Sequence, residues 1–324
     1  MTSDITPVPA GTVQAGPTVL RRAPLAVAGH GAAAQLAFLT WPALDASGVD
    51  VAVAARSGGV SSGPYTTLNL SLSVGDDPAC VLENRRRLAA AFGASPGDFV
   101  FARQVHGAGV RVVGEADRGS GAFALDDAIA DTDALVTTTP GIVLAILAAD
   151  CVPIVLHDPV AGVLACVHAG WRGTVARASA AAIAVMQGLG SRPSHIIAGI
   201  GPAIAPDRYQ VGPDVRQAVT AAFGPVASAF VRPDPSAADR RLLDLWGANR
   251  HALREAGVPA SQIHTTTLPT GPLHPAYLTS TPGSAGLGEP VHPARDGYFF
   301  SYRSARSCGR LALVARLRQA DPAP

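Results

Sequence analysis

Three residues of this sequence carry side chains that bind borderline metals and lie at the ends of predicted strands. They are His106, Cys151 and His168. Zinc accepts imidazole and thiolate ligands, and a catalytic zinc ion keeps three protein ligands and one open position for water. The separations of 45 and 17 residues match no compact zinc finger and fit ligands delivered from separate strands. Spacing alone does not distinguish such a site from an ordinary core.

The stretch 141–173 supplies two of these residues together with the strands that must position them. It contains three apolar segments of strand length, at 142–149, 152–156 and 162–167. Apolar runs without alternation indicate strands buried on both faces. Cys151 and His168 each lie where such a strand ends, and α/β proteins commonly bind ligands at strand ends.

Further elements are predicted elsewhere in the chain. The Ala-rich segment 174–187 is predicted to be a helix, whose first amides and the nearby Arg172 would favour an anion. The aromatic segment 298–303 is interpreted as a strand. Residues 78–92 are predicted to be a helix on which Arg85, Arg86 and Arg87 form a solvated face.

Composition excludes several classes of function. With 324 residues, 48% of them hydrophobic, and a net charge of +1, the chain is predicted to be globular with no broad attraction to nucleic acid. No apolar run reaches the 18 residues of a membrane span. The chain has no lysine, so Schiff-base chemistry is excluded and phosphate must be held by arginine, backbone amides or metal. Four cysteines and no secretory signal indicate a cytoplasmic protein.

We predict one domain with two irregular additions. Residues 1–33 are rich in Pro, Gly, Ala and Thr without a period, and we interpret them as a dispensable, disordered N-terminal extension. Residues 34–324 form the single domain. Within it, residues at about 270–295 hold many Pro and Gly and are interpreted as an irregular insertion.

Several short motifs occur in a fixed order along the chain. They include Gln104-Val-His-Gly107, Ala149-Asp-Cys-Val-Pro153, His168-Ala-Gly-Trp-Arg-Gly173, Gly201-Pro-Ala-Ile and Phe300-Ser-Tyr-Arg303. Together, over roughly residues 49–315, they resemble the laccase-domain family, also called the multicopper polyphenol oxidase family. Its members have been described as purine nucleoside phosphorylases with adenosine deaminase activity. The chain departs from the family pattern at His264, and at Ser304 and Ala305, where the family usually has Arg-Asp.

The resemblance implies a fold, a metal and a reaction. The fold would be a four-layer α/β/β/α sandwich with mixed sheets, and Zn²⁺ would be bound by His106, Cys151 and His168, with copper as a possible substitute. The reaction would convert inosine or adenosine and phosphate to the free base and ribose 1-phosphate, with adenosine deamination as a side activity. The predicted catalytic residues are His106, Cys151, His168 and Asp150. The predicted substrate-binding residues are Arg56, Asn69, Arg172 and Arg303.

Three alternatives remain to be weighed. A multicopper phenol oxidase needs about ten histidines, many in His-x-His pairs. This chain has nine, and no two lie two residues apart, so we reject that as the main function. A Cys-His hydrolase with Cys151 as nucleophile and His168 as base would fit peptidoglycan editing, a role reported for bacterial relatives, and zinc content would discriminate. A non-enzymatic small-molecule binding protein has support only from the altered motifs at His264 and Ser304.

Overall fold

The computed structural model describes residues 13–15, 18–24, 35–272 and 297–319. These residues form sixteen β-strands: β1 (Val13–Ala15), β2 (Thr18–Pro24), β3 (Gln35–Thr40), β4 (Val49–Ala54), β5 (Phe99–Phe101), β6 (Val110–Val112), β7 (Ala134–Thr137), β8 (Val143–Ala148), β9 (Val152–Asp158), β10 (Val163–Ala169), β11 (Ile197–Ile200), β12 (Gln210–Val211), β13 (Val231–Asp234), β14 (Ala237–Leu243), β15 (Ile263–Thr265) and β16 (Leu311–Leu317). The same residues form six α-helices: α1 (Pro42–Asp45), α2 (Pro78–Ala91), α3 (Trp171–Val175), α4 (Ala178–Gly188), α5 (Pro213–Phe223) and α6 (Leu245–Glu255).

Two mixed β-sheets form the centre of the fold. The first sheet has the strand order β1-β2-β3-β4-β16-β8-β5, in which β5 and β8 are parallel and the other neighbours antiparallel. The second sheet has the order β15-β11-β9-β10-β7-β6, antiparallel in its middle and parallel at both ends. A small third sheet of β12, β14 and β13 packs beside α5.

Three apolar clusters define the layers. One cluster lies between the two large sheets and joins Leu144 and Leu313 of the first sheet to Val155 and Leu164 of the second. A second cluster packs the other face of the second sheet against α4, α5 and α6, and a third packs the outer face of the first sheet against α2. The result is the four-layer α/β/β/α sandwich with mixed sheets, so the expected fold class is confirmed.

The hairpin of β9 and β10 is the most buried part of the second sheet. All seven residues of each strand are buried, because helices cover one face and the first sheet covers the other. The unbroken apolar runs predicted this. In the register, His168 lies opposite Pro153 and Ala169 opposite Val152. Cys151, directly before β9, and Gly170, directly after β10, therefore lie beyond this pair at the same edge of the sheet.

The N-terminal part of the chain differs from the prediction at two segments. Within residues 1–33, which were expected to be disordered, β1 and β2 are strands, and β2 pairs antiparallel with β3 over six residue pairs. Oγ1 of Thr18 also lies 3.1 Å from Oγ1 of Thr266. The sequence around β2 shows no apolar periodicity, so the strand was not predicted. It forms because β3 of the first sheet offers hydrogen-bond partners to its backbone. The other residues of 1–33, and residues 273–296 of the predicted insertion, lie outside the described residues, so both boundaries stay predictions.

Two predicted elements are wrong in detail. The helix expected at 174–187 is two helices, because Arg177 between α3 and α4 has a φ angle of 59°. The first of them begins at Trp171, so Gly173 lies inside α3 and does not precede its first turn. The aromatic segment 298–303 is an irregular loop, in which Phe299 and Phe300 are buried without forming a strand.

The arginine run of α2 is also not uniformly solvated. Arg85 is buried, and its guanidinium donates to the carbonyl oxygens of Leu70 and Ala122 at 2.9 and 2.8 Å. Its Cζ lies 3.9 Å from the ring centroid of Phe101. None of the helices formed by the described residues is long and apolar enough to cross a lipid bilayer.

Candidate metal centre

Three separate segments bring the predicted ligands together. His106 follows β5 in a loop, Cys151 lies between β8 and β9, and His168 is the sixth residue of β10. One ligand atom from each residue lies within 4.8 Å of the others, and the two imidazole rings meet edge to face with centroids 4.8 Å apart. His168 is buried, Cys151 half-buried and His106 exposed. The group is therefore anchored in the sheet and open to solvent on the His106 side.

Asp133 holds two of the three ligands in place. This carboxylate is fully buried, and its Oδ1 lies 2.8 Å from Nδ1 of His168. It also accepts hydrogen bonds from the backbone amides of Val105, His106 and Gly107, at 3.3, 3.0 and 2.6 Å. Because a carboxylate accepts, Nδ1 of His168 carries the proton and Nε2 is left for a metal. Carboxylate–histidine pairs of this kind orient metal ligands in many sites.

Gly170 keeps space open beside the ligands. A Cβ atom at this position would lie 2.8 Å from Sγ of Cys151 and 3.2 Å from Cδ2 of His106. Its φ angle is −70°, so backbone conformation is not the reason for glycine here. The close approach of two ligand side chains is the reason.

The charges of the group favour the ionised thiol. Burial raises the pKa of Cys151, but the charge of His168 and hydrogen bonds from His106 and His168 outweigh it and lower the pKa to about 6. Burial lowers the pKa of His168, but the Cys151 thiolate and Asp133 raise it to about 9. For Asp133, burial raises the pKa, but the hydrogen bonds from His168 and Gly107 outweigh this effect and lower the pKa below its usual value. A thiolate is the form of cysteine that binds metal.

The donor set fits a three-ligand zinc ion. Two imidazole nitrogens and one thiolate are zinc ligands, with bonds of about 2.0–2.1 Å and about 2.3 Å respectively. Tetrahedral bonds of these lengths place the ligand atoms of one ion about 3.3–3.8 Å apart. The three atoms here lie within 4.8 Å of one another, so they must move closer together to bind one ion. The exposed side of His106 leaves room for the fourth, non-protein position of a catalytic site. Across the described part of the chain, this is the one group of three or more His, Cys, Asp or Glu residues close enough to hold a metal.

Asp150 connects the centre to three other loops. Its Oδ1 accepts from Oγ1 of Thr270 and its Oδ2 from the backbone amide of Arg303, both at 2.6 Å. Its own backbone has a φ angle of 82°, and its carbonyl oxygen accepts from the amide of Ile204 at 3.1 Å. Asp150 thus fixes the loops at 204, 270 and 303 beside Cys151. Its predicted catalytic role stays a prediction.

Two of the predicted substrate-binding residues, Arg56 and Asn69, are held by contacts with neighbouring loops. The guanidinium of Arg56 donates through Nε and Nη2 to the carbonyl oxygen of Thr66, at 3.0 and 2.8 Å, and lies 4.7 Å from the ring centroid of Phe300. Asn69 is fully buried. Its Oδ1 accepts from the amides of Ser71 and Arg310, and its Nδ2 donates to Asp76. Its amide group is therefore engaged in holding loops, and contact with substrate stays a prediction.

Arg172 and Arg303 lie around Tyr209. Arg172 is exposed on α3, with its Cζ 4.4 Å from the ring of Trp171. The guanidinium of Arg303 donates to the carbonyl oxygen of Gln210 and lies 5.1 Å from the ring of Tyr209. Burial raises the pKa of Tyr209 to about 12, the negative charges of Cys151 and Asp150 add to this, and Arg303 and Arg172 oppose it. The charges of Cys151 and Asp150 therefore act on the hydroxyl of Tyr209.

Comparison with known proteins places the chain in a family. The family model described as "Multi-copper polyphenol oxidoreductase laccase" matches residues 50–318. The chain belongs to the multi-copper polyphenol oxidoreductase laccase family. The expected resemblance is thereby confirmed. The match covers all three proposed ligands and the loops around Asp150.

Similar proteins of this laccase family have names that concern purines. The chain is 46% identical over 203 residues to a purine nucleoside phosphorylase of Deinococcus radiodurans, covering 63% of this chain and 73% of the relative. It is 41% identical over 199 residues to the adenosine deaminase RL5 of an unknown prokaryotic organism, covering 61% and 75%. The crystal structure of YlmD from Geobacillus stearothermophilus is similar with a TM-score of 0.75 at 31% identity, covering 92% of this chain and all of that one.

Sequence reasoning missed part of this laccase-family site. Asp133 is not among the predicted site residues, whereas the structure makes it the residue that positions His106 and His168. Its place directly before β7 in Asp131-Thr-Asp133 was the available signal. Tyr209 is also absent from the predicted site residues, and nothing in the sequence indicates that its ring packs against Arg303.

Proposed function

We propose that this protein is a zinc-dependent purine nucleoside phosphorylase. It would convert inosine or adenosine and phosphate to the free base and ribose 1-phosphate, and would deaminate adenosine as a side activity. The observation that carries the proposal is the convergence of His106, Cys151 and His168 on one exposed position. The names of the relatives from Deinococcus radiodurans and of RL5 support the choice of purine nucleosides.

Each residue of the centre has a defined task in this proposal. When bound, zinc supplies a Lewis acid that stabilises developing negative charge and lowers the pKa of water. His106, Cys151 and His168 would hold it, and copper, which accepts the same ligands, is the expected substitute. Asp133 keeps Nδ1 of His168 protonated, so that Nε2 faces the site. Asp150 is proposed to move protons from its position next to Cys151.

Arginine supplies the positive charge that an incoming phosphate requires. Phosphate must be stripped of water and oriented toward the ribose, and guanidinium groups do this with paired hydrogen bonds. Arg56 is held by the carbonyl oxygen of Thr66 and by the ring of Phe300, so its charge is fixed in position. Arg303 is fixed likewise by Gln210 and by the loop amide on Asp150. We propose that Arg56, with Arg172 and Arg303, holds phosphate, and that Asn69 contributes by ordering the adjoining loop.

The cellular setting follows from the cysteines. All four cysteines, Cys80, Cys151, Cys166 and Cys308, are free thiols. A catalytic thiolate without disulfides suits a reducing compartment. We therefore propose that the protein acts in the cytoplasm on small molecules.

A Cys-His hydrolase is the second candidate, because the thiolate of Cys151 and the imidazolium of His168 form the ion pair that such an enzyme uses. In that reaction Cys151 would attack an acyl carbon and His168 would return its proton to the leaving group. A thiolate tied to zinc is not available as a nucleophile. Zinc content and reactivity toward alkylating agents therefore separate the two functions.

The decisive assay combines inosine and phosphate with purified protein and measures hypoxanthine and ribose 1-phosphate. We expect equal amounts of both products, none of either without phosphate, and none from Cys151→Ala. Cys308→Ala is the matched control because Cys308 is a free, buried thiol outside the ligand set. Hydrolysis to free ribose, or no turnover of any purine nucleoside, would refute the phosphorylase.

A further inference from the structure

The loop of residues 301–310 gathers positive charge around one exposed ring. Tyr302 is 41% exposed. The guanidinium carbon of Arg306 lies 5.0 Å from its ring centroid, and that of Arg310 lies 5.8 Å from the same centroid. Both cations therefore lie beside the same exposed ring, which stabilises each of them by a cation–π contact.

Neither cation is neutralised by a carboxylate in the described part of the chain. The loop itself contains no Asp or Glu. Some arginines elsewhere do have carboxylate partners: Arg316 and Arg318 share Asp50, for example. Two like charges held near one ring repel each other, and an anion between them removes this repulsion and adds two attractions. Uncompensated arginines with a common support are thus suited to bind an anion.

Arg310 is fixed in advance for such a task. Its Nη1 donates to the carbonyl oxygens of Cys308 and Gly309 at 2.9 and 3.1 Å. Its backbone amide donates to Oδ1 of the fully buried Asn69 at 3.0 Å. In the described chain, Nε and Nη2 of Arg310 have no protein acceptor, which leaves one edge of the guanidinium for a ligand. A side chain that is already ordered loses less entropy when it binds.

The pair lies at the margin of the metal centre. Near the start of this loop, the amide of Arg303 donates to Oδ2 of Asp150 at 2.6 Å. The sulfur of Cys308 accepts from Nη1 of Arg310 at 3.4 Å. Burial raises the pKa of Cys308, while the charges of Arg310 and Arg56 lower it and that of Asp150 raises it further. Arg310, Arg56 and Asp150 are therefore all close enough to Cys308 for their charges to act on its thiol.

We propose that Arg306 and Arg310, supported by Tyr302, form a binding site for a phosphate dianion, either free orthophosphate or the 5′-phosphate of a nucleotide. Two guanidinium groups match the paired oxygens of phosphate. The choice of phosphate among anions rests on the proposed phosphorylase function, whereas the site itself rests on the geometry of the loop. The site adds two residues to the cations already assigned to the centre.

The test measures binding and not turnover. Equilibrium dialysis of the zinc-loaded full chain with labelled orthophosphate, and separately with adenosine 5′-monophosphate, is performed on wild type, Arg306→Gln, Arg310→Gln and the double variant. Arg240→Gln is the control, because Arg240 is an exposed arginine of β14 outside this loop. We expect about tenfold weaker binding for each single variant, a larger loss for the double variant, and no change for the control. Arg306 has no hydrogen-bond acceptor in the described chain, so Arg306→Gln tests the site even if Arg310→Gln unfolds.

The two ligands identify the source of the phosphate. If binding of orthophosphate falls, the site serves the free anion. If binding of the nucleotide falls and that of orthophosphate does not, the phosphate belongs to the substrate. Unchanged binding of both ligands in Arg306→Gln and the double variant would overturn the site. If phosphate binding depends on these arginines but no ribose 1-phosphate forms, the proposed function is refuted and the site stands. If ribose 1-phosphate forms but phosphate binding does not depend on these arginines, the site is refuted and the proposed function stands.

Discussion

Asp133 and His168 are joined by two hydrogen bonds, one from the ring and one from the backbone. Oδ1 of Asp133 lies 2.8 Å from Nδ1 of His168, and the amide of His168 donates to the carbonyl oxygen of Asp133 at 2.7 Å. The same buried carboxylate accepts the amide of His106. One side chain therefore sets the orientation of one metal ligand and the backbone of another.

Replacing Asp133 by Asn is expected to weaken zinc binding by about ten- to a hundredfold. The amide has one acceptor oxygen where the carboxylate has two, so it cannot satisfy His168 and the amides of His106 and Gly107 together. Competition with a zinc-binding dye measures the affinity. Asp131→Asn is the control, since the side chain of Asp131 is 70% exposed and pairs only with Arg103 among the described residues. Equal zinc affinity in both variants would contradict the positioning role.

A methyl group at position 170 is expected to displace the ligands. In Gly170→Ala, Cβ would meet Sγ of Cys151 at 2.8 Å, so the thiol must move. We expect zinc content well below one per chain with a melting temperature close to that of metal-free wild type. Gly188→Ala is the matched control, because a Cβ atom there meets nothing within 4 Å and alanine favours a helix. A zinc-loaded, fully active Gly170→Ala protein would show that the space is not required.

Acid is expected to destabilise the fold through His157. This ring is buried, Ser47 lies 2.9 Å from its Nδ1, and burial lowers its pKa to about 4 while the charge of Asp158 opposes the shift. The unfolded chain binds a proton on this histidine near pH 6.5, so stability is lost as the pH falls from 6.5 toward 4. Between pH 7 and pH 5 the loss is about 2 kcal/mol at most.

Urea unfolding of wild type and His157→Gln at pH 7 and pH 5 measures this contribution. We expect the variant to lose less stability over this interval than wild type, whatever its stability at pH 7. His195→Gln is the comparison, since His195 is only partly buried. The same pH dependence in wild type and His157→Gln would exclude His157 as the source.

Replacement of Arg56 is expected to slow phosphorolysis more than deamination. If Arg56 holds phosphate, Arg56→Ala should raise the phosphate KM or lower kcat by about tenfold or more, corresponding to about 1.4 kcal/mol. Deamination of adenosine uses no phosphate and should fall much less. Steady-state kinetics of both reactions, with Arg240→Ala as control, provide the comparison. Equal losses in both would indicate a structural role through Thr66 and Phe300.

The buried strands were the most predictable part of the fold. The runs that became β8, β9 and β10 are apolar on both faces because they lie between two layers, and that pattern is visible in the sequence. Burial by a partner distant in the chain is not visible. The run of Arg85 to Arg87 was expected to be solvated, yet Arg85 is buried because the carbonyl oxygens of Leu70 and Ala122 accept hydrogen bonds from its guanidinium group.

The ligands of the site were predictable and their support was not. Imidazole and thiolate have a limited chemistry, so His106, Cys151 and His168 could be selected by residue type and motif. The role of Asp133 depends on where its carboxylate points, which β7 and the loop at Val105 determine together. The break at Arg177 and the irregular loop at 298–303 likewise depend on tertiary contacts and not on local propensity.

The central claim is that one zinc ion at His106, Cys151 and His168 is required for phosphorolysis. Metal-free protein is titrated with zinc, and the initial rate of ribose 1-phosphate formation from inosine and phosphate is measured at each ratio. We expect the rate to rise in proportion to bound zinc and to level off at about one zinc per chain. Full phosphorolysis by protein that contains no zinc, with no further rise on its addition, would contradict the account.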